Sequence, residues 1–127
     1  MFKKLIYVSL MLTMFLNAKD FNANFSEVVQ NAPNKIGVYI VRKNNKVVYV
    51  GRAIENRRGQ STKGLRKRLK EHYRSASSGN RLMYAHRDSL NITIETFETV
   101  DEVKRREAEL IRLFDTVEKG WNKRYED

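Results

Sequence analysis

Residues 37–51 read GVYIVRKNNKVVYVG, and this stretch decides the fold. Gly37-Val38-Tyr39-Ile40-Val41 and Val47-Val48-Tyr49-Val50-Gly51 are both rich in β-branched and aromatic residues, which suit a pleated surface. Between them Arg42-Lys43-Asn44-Asn45-Lys46 is polar, and its Asn-Asn pair tolerates the left-handed backbone that a tight reversal needs. The pattern predicts a β-hairpin. With a period of two, Tyr39 and Val41 share one face and Val38 and Ile40 the other, and Tyr49 sits between Val48 and Val50. Each strand thus carries a central tyrosine and is edged by a glycine, a residue that lets another group approach the backbone closely. On the strand pattern alone these are two packing tyrosines.

The chain has 127 residues, enough for one small domain with a modest core. Its apolar content of 41% is that of a folded protein, not a disordered one. A formal net charge of +10 and a pI near 10 call for a polyanionic partner, nucleic acid first and an anionic membrane surface second. Cysteine is absent, which excludes a disulfide framework and a thiolate metal site.

Met1 to Ala18 reads as an export signal. Lys3 and Lys4 give a positive start, Leu5 to Leu16 is apolar apart from Ser9 and Thr13, and Ala18 is a small residue for cleavage. The run is short of the roughly 20 apolar residues that span a bilayer. An uncleaved anchor and a core helix are the competing readings, the second weakened because the run is apolar all round and not striped. Cleavage leaves the remainder at about +8 and without stable membrane insertion. Residues 19–35 form a lead-in, in which Ser26 is the expected cap of a short helix through Val28 and Val29 that stops by Pro33.

After Gly51 a basic, glycine-containing loop runs from Arg52 to Gly64. Leu65, Leu69, His72 and Tyr73 then fall on one helical stripe. Arg68 and His72, four apart, meet on one edge of it, where a phosphate could reach both; the alternative for Arg66-Lys67-Arg68 is a solvated basic face. Ser75 to Asn80 is a loop, and Arg81 to Ser89 a short helix with Leu82, Met83 and Ala85 for packing. Asn91 to Phe97 alternates as a third strand with Ile92 and Ile94 inward. His86 has no second ligand at metal spacing and reads as an exposed helix residue.

Thr99 or Asp101 can cap a last long helix from Glu102 to Thr116. Val103, Leu110, Ile111 and Phe114 make its apolar stripe, with Glu107 in the middle and Glu109 pointing away. A carboxylate in an apolar stripe costs several kcal/mol unless it is paired or holds a cation. Two explanations stand: an ion pair with Arg68 or Arg106, or a Mg²⁺ ligand acting with waters and substrate phosphate. Beyond the helix, Trp121 is a core candidate and Asn122 a turn or capping residue.

Gly37-Val38-Tyr39 and Tyr49-Val50-Gly51, with only isoleucine-to-valine departures, resemble the two signature tripeptides of the GIY-YIG endonuclease family. The resemblance extends from Ile36 to Arg124. Leu65-Arg66-Lys67-Arg68 is similar to the family's Leu-Arg-x-Arg helix start, His72 to the residue one turn later, Glu107-Ala108-Glu109-Leu110-Ile111 to its Glu-x-x-x-Ile segment, and Asn122 to its terminal asparagine. Arg52 matches a position that is often basic. The loop from Arg52 to Gly64 is longer than in compact repair members, so substrate contacts there do not carry over.

The resemblance implies an α+β fold within the broad α/β class: a small three-stranded antiparallel sheet flanked by helices. With the signal segment read above, the chain divides into a signal peptide at 1–18, a lead-in at 19–35 and a GIY-YIG nuclease domain at 36–127. The resemblance implies a metal-dependent endonuclease acting on DNA, for which low sequence specificity and a monomer or weak dimer are expected. The signal segment, and not the resemblance, puts it in the periplasm or outside the cell, an unusual location for the family. Tyr39 is the implied general base, with Tyr49 or His72 as partner or rival; a phenol with a pKa near 10 needs a nearby cation to ionise. Arg68 is implied to neutralise phosphate oxygens, Glu107 to hold one Mg²⁺ or Mn²⁺, and Asn122 to hold the site together. Gly51, Arg52 and Lys67 are implied to contact substrate, and Lys43, Lys46, Arg57, Arg58 and Lys63 to bind backbone phosphates. The rival readings are a basic nucleic-acid-binding protein with the same fold and no catalysis, and a surface scaffold for acidic polymers or membrane that leaves Glu107 unexplained.

Overall fold

A computed structural model describes residues 23–55, 59, 61–77 and 80–125. The expected signal segment at 1–18 and the candidate phosphate ligands Arg57 and Arg58 lie outside the described residues. Elements run β1 (Ala23–Asn24), α1 (Phe25–Asn31), β2 (Gly37–Lys43), β3 (Lys46–Ala53), α2 (Gly64–Arg74), α3 (Arg81–Ala85), a 3₁₀ turn (Arg87–Ser89), β4 (Leu90–Thr96), α4 (Val100–Phe114) and α5 (Thr116–Lys119).

The hairpin is tighter than the five-residue loop expected. Asn44 and Asn45 both take positive φ, 53° and 66°, and pairing continues to Lys43 opposite Lys46. Two left-handed residues in succession match the right-handed twist of the flanking strands. The pairing shifts register between Val41 and Arg42, leaving Val48 as an extra residue on β3. The Val48 carbonyl instead accepts the Trp121 N–H at 2.6 Å.

The sheet has four antiparallel strands in the order β1-β4-β2-β3, not three. The additional strand is two residues long, too short to show alternation, and pairs Ala23 and Asn24 with Ile92 and Asn91. Asn24 also caps α1 by accepting the Glu27 N–H at 3.0 Å, a role expected of Ser26, whose hydroxyl donates to Asn24 Oδ1. α4 begins as expected with Thr99, which forms a complete capping box with Glu102.

Central β2 is buried on both faces. Tyr39, Val41 and Ile92 pack beneath α1, α2 and α3 with Phe25, Val28, Leu65, Leu69 and Met83. Val38, Ile40 and Val50 pack beneath α4 with Val103, Leu110 and Ile111. Of the residues expected to bury α3, only Met83 does so, and Leu82 is exposed. Trp121 is half-buried, stacked on the half-buried His86 ring at 5.5 Å. No helix among the described residues is long and apolar enough to cross a membrane.

Gly64 fixes the start of α2. Its φ is +59°, its N–H donates to the Glu55 carbonyl at 2.6 Å, and a Cβ there would lie 2.2 Å from the Lys35 carbonyl oxygen. Gly64→Ala is therefore expected to destabilise the fold by at least about 2 kcal/mol, read as a lowered urea midpoint with an unchanged slope.

Candidate active site

Tyr39 on β2 lies directly opposite Gly51 on β3. A Cβ at residue 51 would sit 2.3 Å from Tyr39 Cζ and 2.4 Å from its Oη, so only glycine leaves room for the phenol over that stretch of backbone. Gly51 is itself buried, and serves this site by making space.

From α2, His72 comes down onto the phenol. It is completely buried, and its Nε2 lies 2.8 Å from Tyr39 Oη. Arg68, one turn earlier, is half-exposed and bonds Glu71 at 3.1 Å. Their spacing predicts that Arg68 and His72 meet on one edge of the helix within reach of one phosphate, but Arg68 lines the cleft and the imidazole is enclosed. Tyr49 is half-buried with its ring 6.2 Å from that of Tyr39.

Burial raises the Tyr39 pKa well above the usual 10; neighbouring Tyr49 adds to this, and the Arg68 charge opposes it. Burial also depresses His72 to about 4, assisted by the positive charge of Arg68. At neutral pH the pair is a phenol and a neutral imidazole. With the His72 proton on Nδ1, the phenol donates and Nε2 accepts.

Arg52 faces the other side of the sheet, because its register partner Val38 does. There its Nη1 lies 3.6 Å from Oε1 of Glu107, which is 1% exposed. Neither expected ion-pair partner of Glu107 takes that role: Arg106 binds Glu95 at 2.8 and 3.2 Å and Glu109 at 2.6 Å, and Arg68 binds Glu71. A contact of 3.6 Å is longer than a hydrogen bond. Among the described residues no three His, Asp or Glu side chains converge. One buried carboxylate suits a hard divalent cation that completes its shell with water and phosphate, and does not suit a zinc-type cage.

Arg52, Lys67, Arg68, Glu55 and Glu71 line an open cleft of about 350 Å³. Glu71, which no sequence motif singles out, clamps both Lys67 at 3.0 Å and Arg68 at 3.1 Å. Its spacing of three and four residues from them is the one signal that points to it. Asn122 does not point into the cleft. Its Oδ1 accepts the Val50 N–H and its Nδ2 donates to the Val50 carbonyl, both at 2.9 Å, closing the outer edge of β3 beside Gly51. Lys43 and Lys46 lie at the hairpin tip, roughly 13 Å along the strand from Tyr39 at an ordinary strand rise.

Residues 35–123 match the family model of the GIY-YIG catalytic domain. The chain belongs to the GIY-YIG endonuclease family. Over 68 residues it is 29% identical to UvrABC system protein C of Fervidobacterium nodosum, a stretch that is 54% of this chain and 10% of that protein. The chain therefore spans about a tenth of that relative's length. Its fold resembles the GIY-YIG N-terminal endonuclease domain of UvrC from Thermotoga maritima in the crystal structure bound to its catalytic divalent cation, magnesium. That likeness has a TM-score of 0.56 and 20% identity, covering 72% of this chain and 90% of that one. A tyrosine-to-phenylalanine variant of the same domain gives 0.56 and 19%, covering 72% and 89%. At these identities the likeness is one of fold. Within that GIY-YIG fold, the first signature tyrosine is Tyr39 and the last signature glycine is the residue it lies across.

Burying His72 neutral makes stability depend on pH. The unfolded histidine, with a pKa near 6.5, binds a proton that the folded one refuses down to about 4, so stability is lost as pH falls through that window. The loss amounts to about 3 kcal/mol. His72→Phe is expected to remove most of this dependence, measured as urea unfolding free energy at pH 7 against pH 4.5.

Proposed function

We propose that this chain is a divalent-cation-dependent endonuclease that hydrolyses DNA with low sequence specificity, and that residues 1–18 direct it out of the cytoplasm. The observation that carries the catalytic reading is the 2.8 Å contact between Tyr39 Oη and His72 Nε2 beside a cationic cleft. UvrC of Thermotoga maritima, whose domain shares this fold, is described as an endonuclease with a catalytic divalent cation, which supports the same chemistry here.

Phosphodiester hydrolysis requires an activated water, neutralised phosphate oxygens and help for the leaving oxygen. Lys67, Arg68 and Arg52 hold the phosphate in the cleft, where the Arg68 fork can bind two of its oxygens. Tyr39 receives the proton of the attacking water as its own proton passes to His72 Nε2. Burial opposes a free phenolate and, with the Arg68 charge, also the transient imidazolium of the relay, so the negative charge of the bound phosphate is what offsets the cost of moving the proton to His72. Glu107 is the residue to hold Mg²⁺ or Mn²⁺, a cation that supplies charge stabilisation at the leaving oxygen.

Low specificity accords with the cleft's lining, since cations that contact phosphates carry no base information. Export rests on the positive start, apolar run and small cleavage residue of 1–18. Periplasmic fractionation with protease accessibility in intact cells tests it: a chain protected with the cytoplasmic markers would sink the exported location.

Supercoiled plasmid incubated with the full-length chain is expected to be nicked with Mg²⁺ or Mn²⁺ and to stay intact with chelator. Glu107→Ala is expected to abolish nicking, and Arg68→Ala to slow it by about 10²–10³-fold. Salt-sensitive DNA binding without nicking in either metal would make the chain a binding protein on a nuclease fold.

A further inference from the structure

α2 is basic on both sides of its exposed arc. Lys67 and Arg68 line the cleft, whereas Arg66, Lys70 and Arg74 recur at every fourth residue and form a row with a rise of about 6 Å between members. That row walls a second groove, of about 470 Å³, between α1 and α2; Ser26, Gln30 and Tyr73 also line it, and no carboxylate among the described residues does. Like charges at this spacing oppose helix formation, so the row costs stability.

Only Arg66 repays this within the fold. Its Nε and Nη2 bond the Ala32 and Gln30 carbonyls at 2.8 and 2.9 Å, clamping the C-terminal end of α1 to α2. Half-buried Lys70 and exposed Arg74 make no ion pair among the described residues. The Tyr73 ring is held in the wall by an edge contact to Phe25, 5.0 Å between centroids. Ser26 and Gln30 precede residues 35–123, the stretch matching the family model.

We propose that this groove is a second polyanion site that takes the nucleic-acid strand running away from the scissile phosphate. The inference rests on the nuclease reading of the cleft. Lys67 and Lys70 are three apart and adjacent on the helix surface, so the cations continue over the crest of α2 from cleft to groove. A concave slot admits a strand and excludes the flat surface of a bilayer. The hydrogen-bonding side chains of Ser26 and Gln30 and the aromatic edge of Tyr73 suit sugar, phosphate and base.

The test is binding of the full-length chain to a long DNA duplex in chelator, by fluorescence anisotropy over a salt series, beside a Lys70→Gln/Arg74→Gln variant. Removing one cation from a phosphate lowers the slope of log K against log salt by about 0.9, so the slope is expected to shrink by about 2 and low-salt affinity to fall by roughly tenfold or more. In Mg²⁺, KM for plasmid should rise while the rate at saturation holds. Should the double variant not fold, Arg74→Gln alone, at an exposed position, is expected to lower the slope by about 1. An unchanged slope in a folded variant that still cuts would overturn the groove and leave the nuclease reading standing. Loss of binding to phosphatidylglycerol vesicles with an unchanged DNA slope would overturn it in favour of a membrane contact. A wild-type chain that neither binds nor cuts DNA would overturn both readings.

Discussion

The Tyr39 phenol occupies the volume that a side chain at residue 51 would fill, and the site is built around that substitution of ring for Cβ. The contact exists only in one strand register. A slip of one residue would set Val50 or Arg52 opposite Tyr39 in place of Gly51, putting a side chain on the phenol's face where the site needs none. The two left-handed asparagines fix the reversal, and the extra residue Val48 absorbs the register shift before Tyr49, so that Gly51 arrives opposite Tyr39. His72 can then reach the phenol from α2, and Glu107 can approach the same edge strand from α4.

Much of this was legible in the residues. Alternation and an Asn-Asn pair gave away the hairpin, and a carboxylate in an apolar stripe marked Glu107 as a residue needing a charged companion. The companion itself was not legible. Arg52 reaches Glu107 because strand register points it at α4, a relation between distant segments that helical spacing does not encode. His72 is similar: a spacing of four makes it a neighbour of Arg68, but the depth to which α2 sinks onto Tyr39 decides that one is enclosed and the other reaches the cleft. β1 escaped because two residues have no period, and Asn24 because it serves as both strand end and helix cap.

The site separates neutral from charged chemistry by depth. Tyr39 and His72 share a proton in the dry interior, where burial opposes ionising either one. Lys67 and Arg68 sit at the rim, where water keeps their charges inexpensive and Glu71 holds both in place, while Arg52 lies deeper beside Glu107. Side chains kept neutral and side chains that carry charge thus occupy different depths of one region.

Asn122 joins Val50 across 72 residues with one side chain and two hydrogen bonds. The Trp121 N–H to Val48 and the Asn122 N–H to Thr116 extend this seal, and the Trp121 ring packs against the core beside it. An open edge strand offers its peptide groups to any strand it meets, another copy's included. Around Val48 and Val50 those groups are already bonded to Trp121 and Asn122, so this stretch of the edge is closed to a second chain.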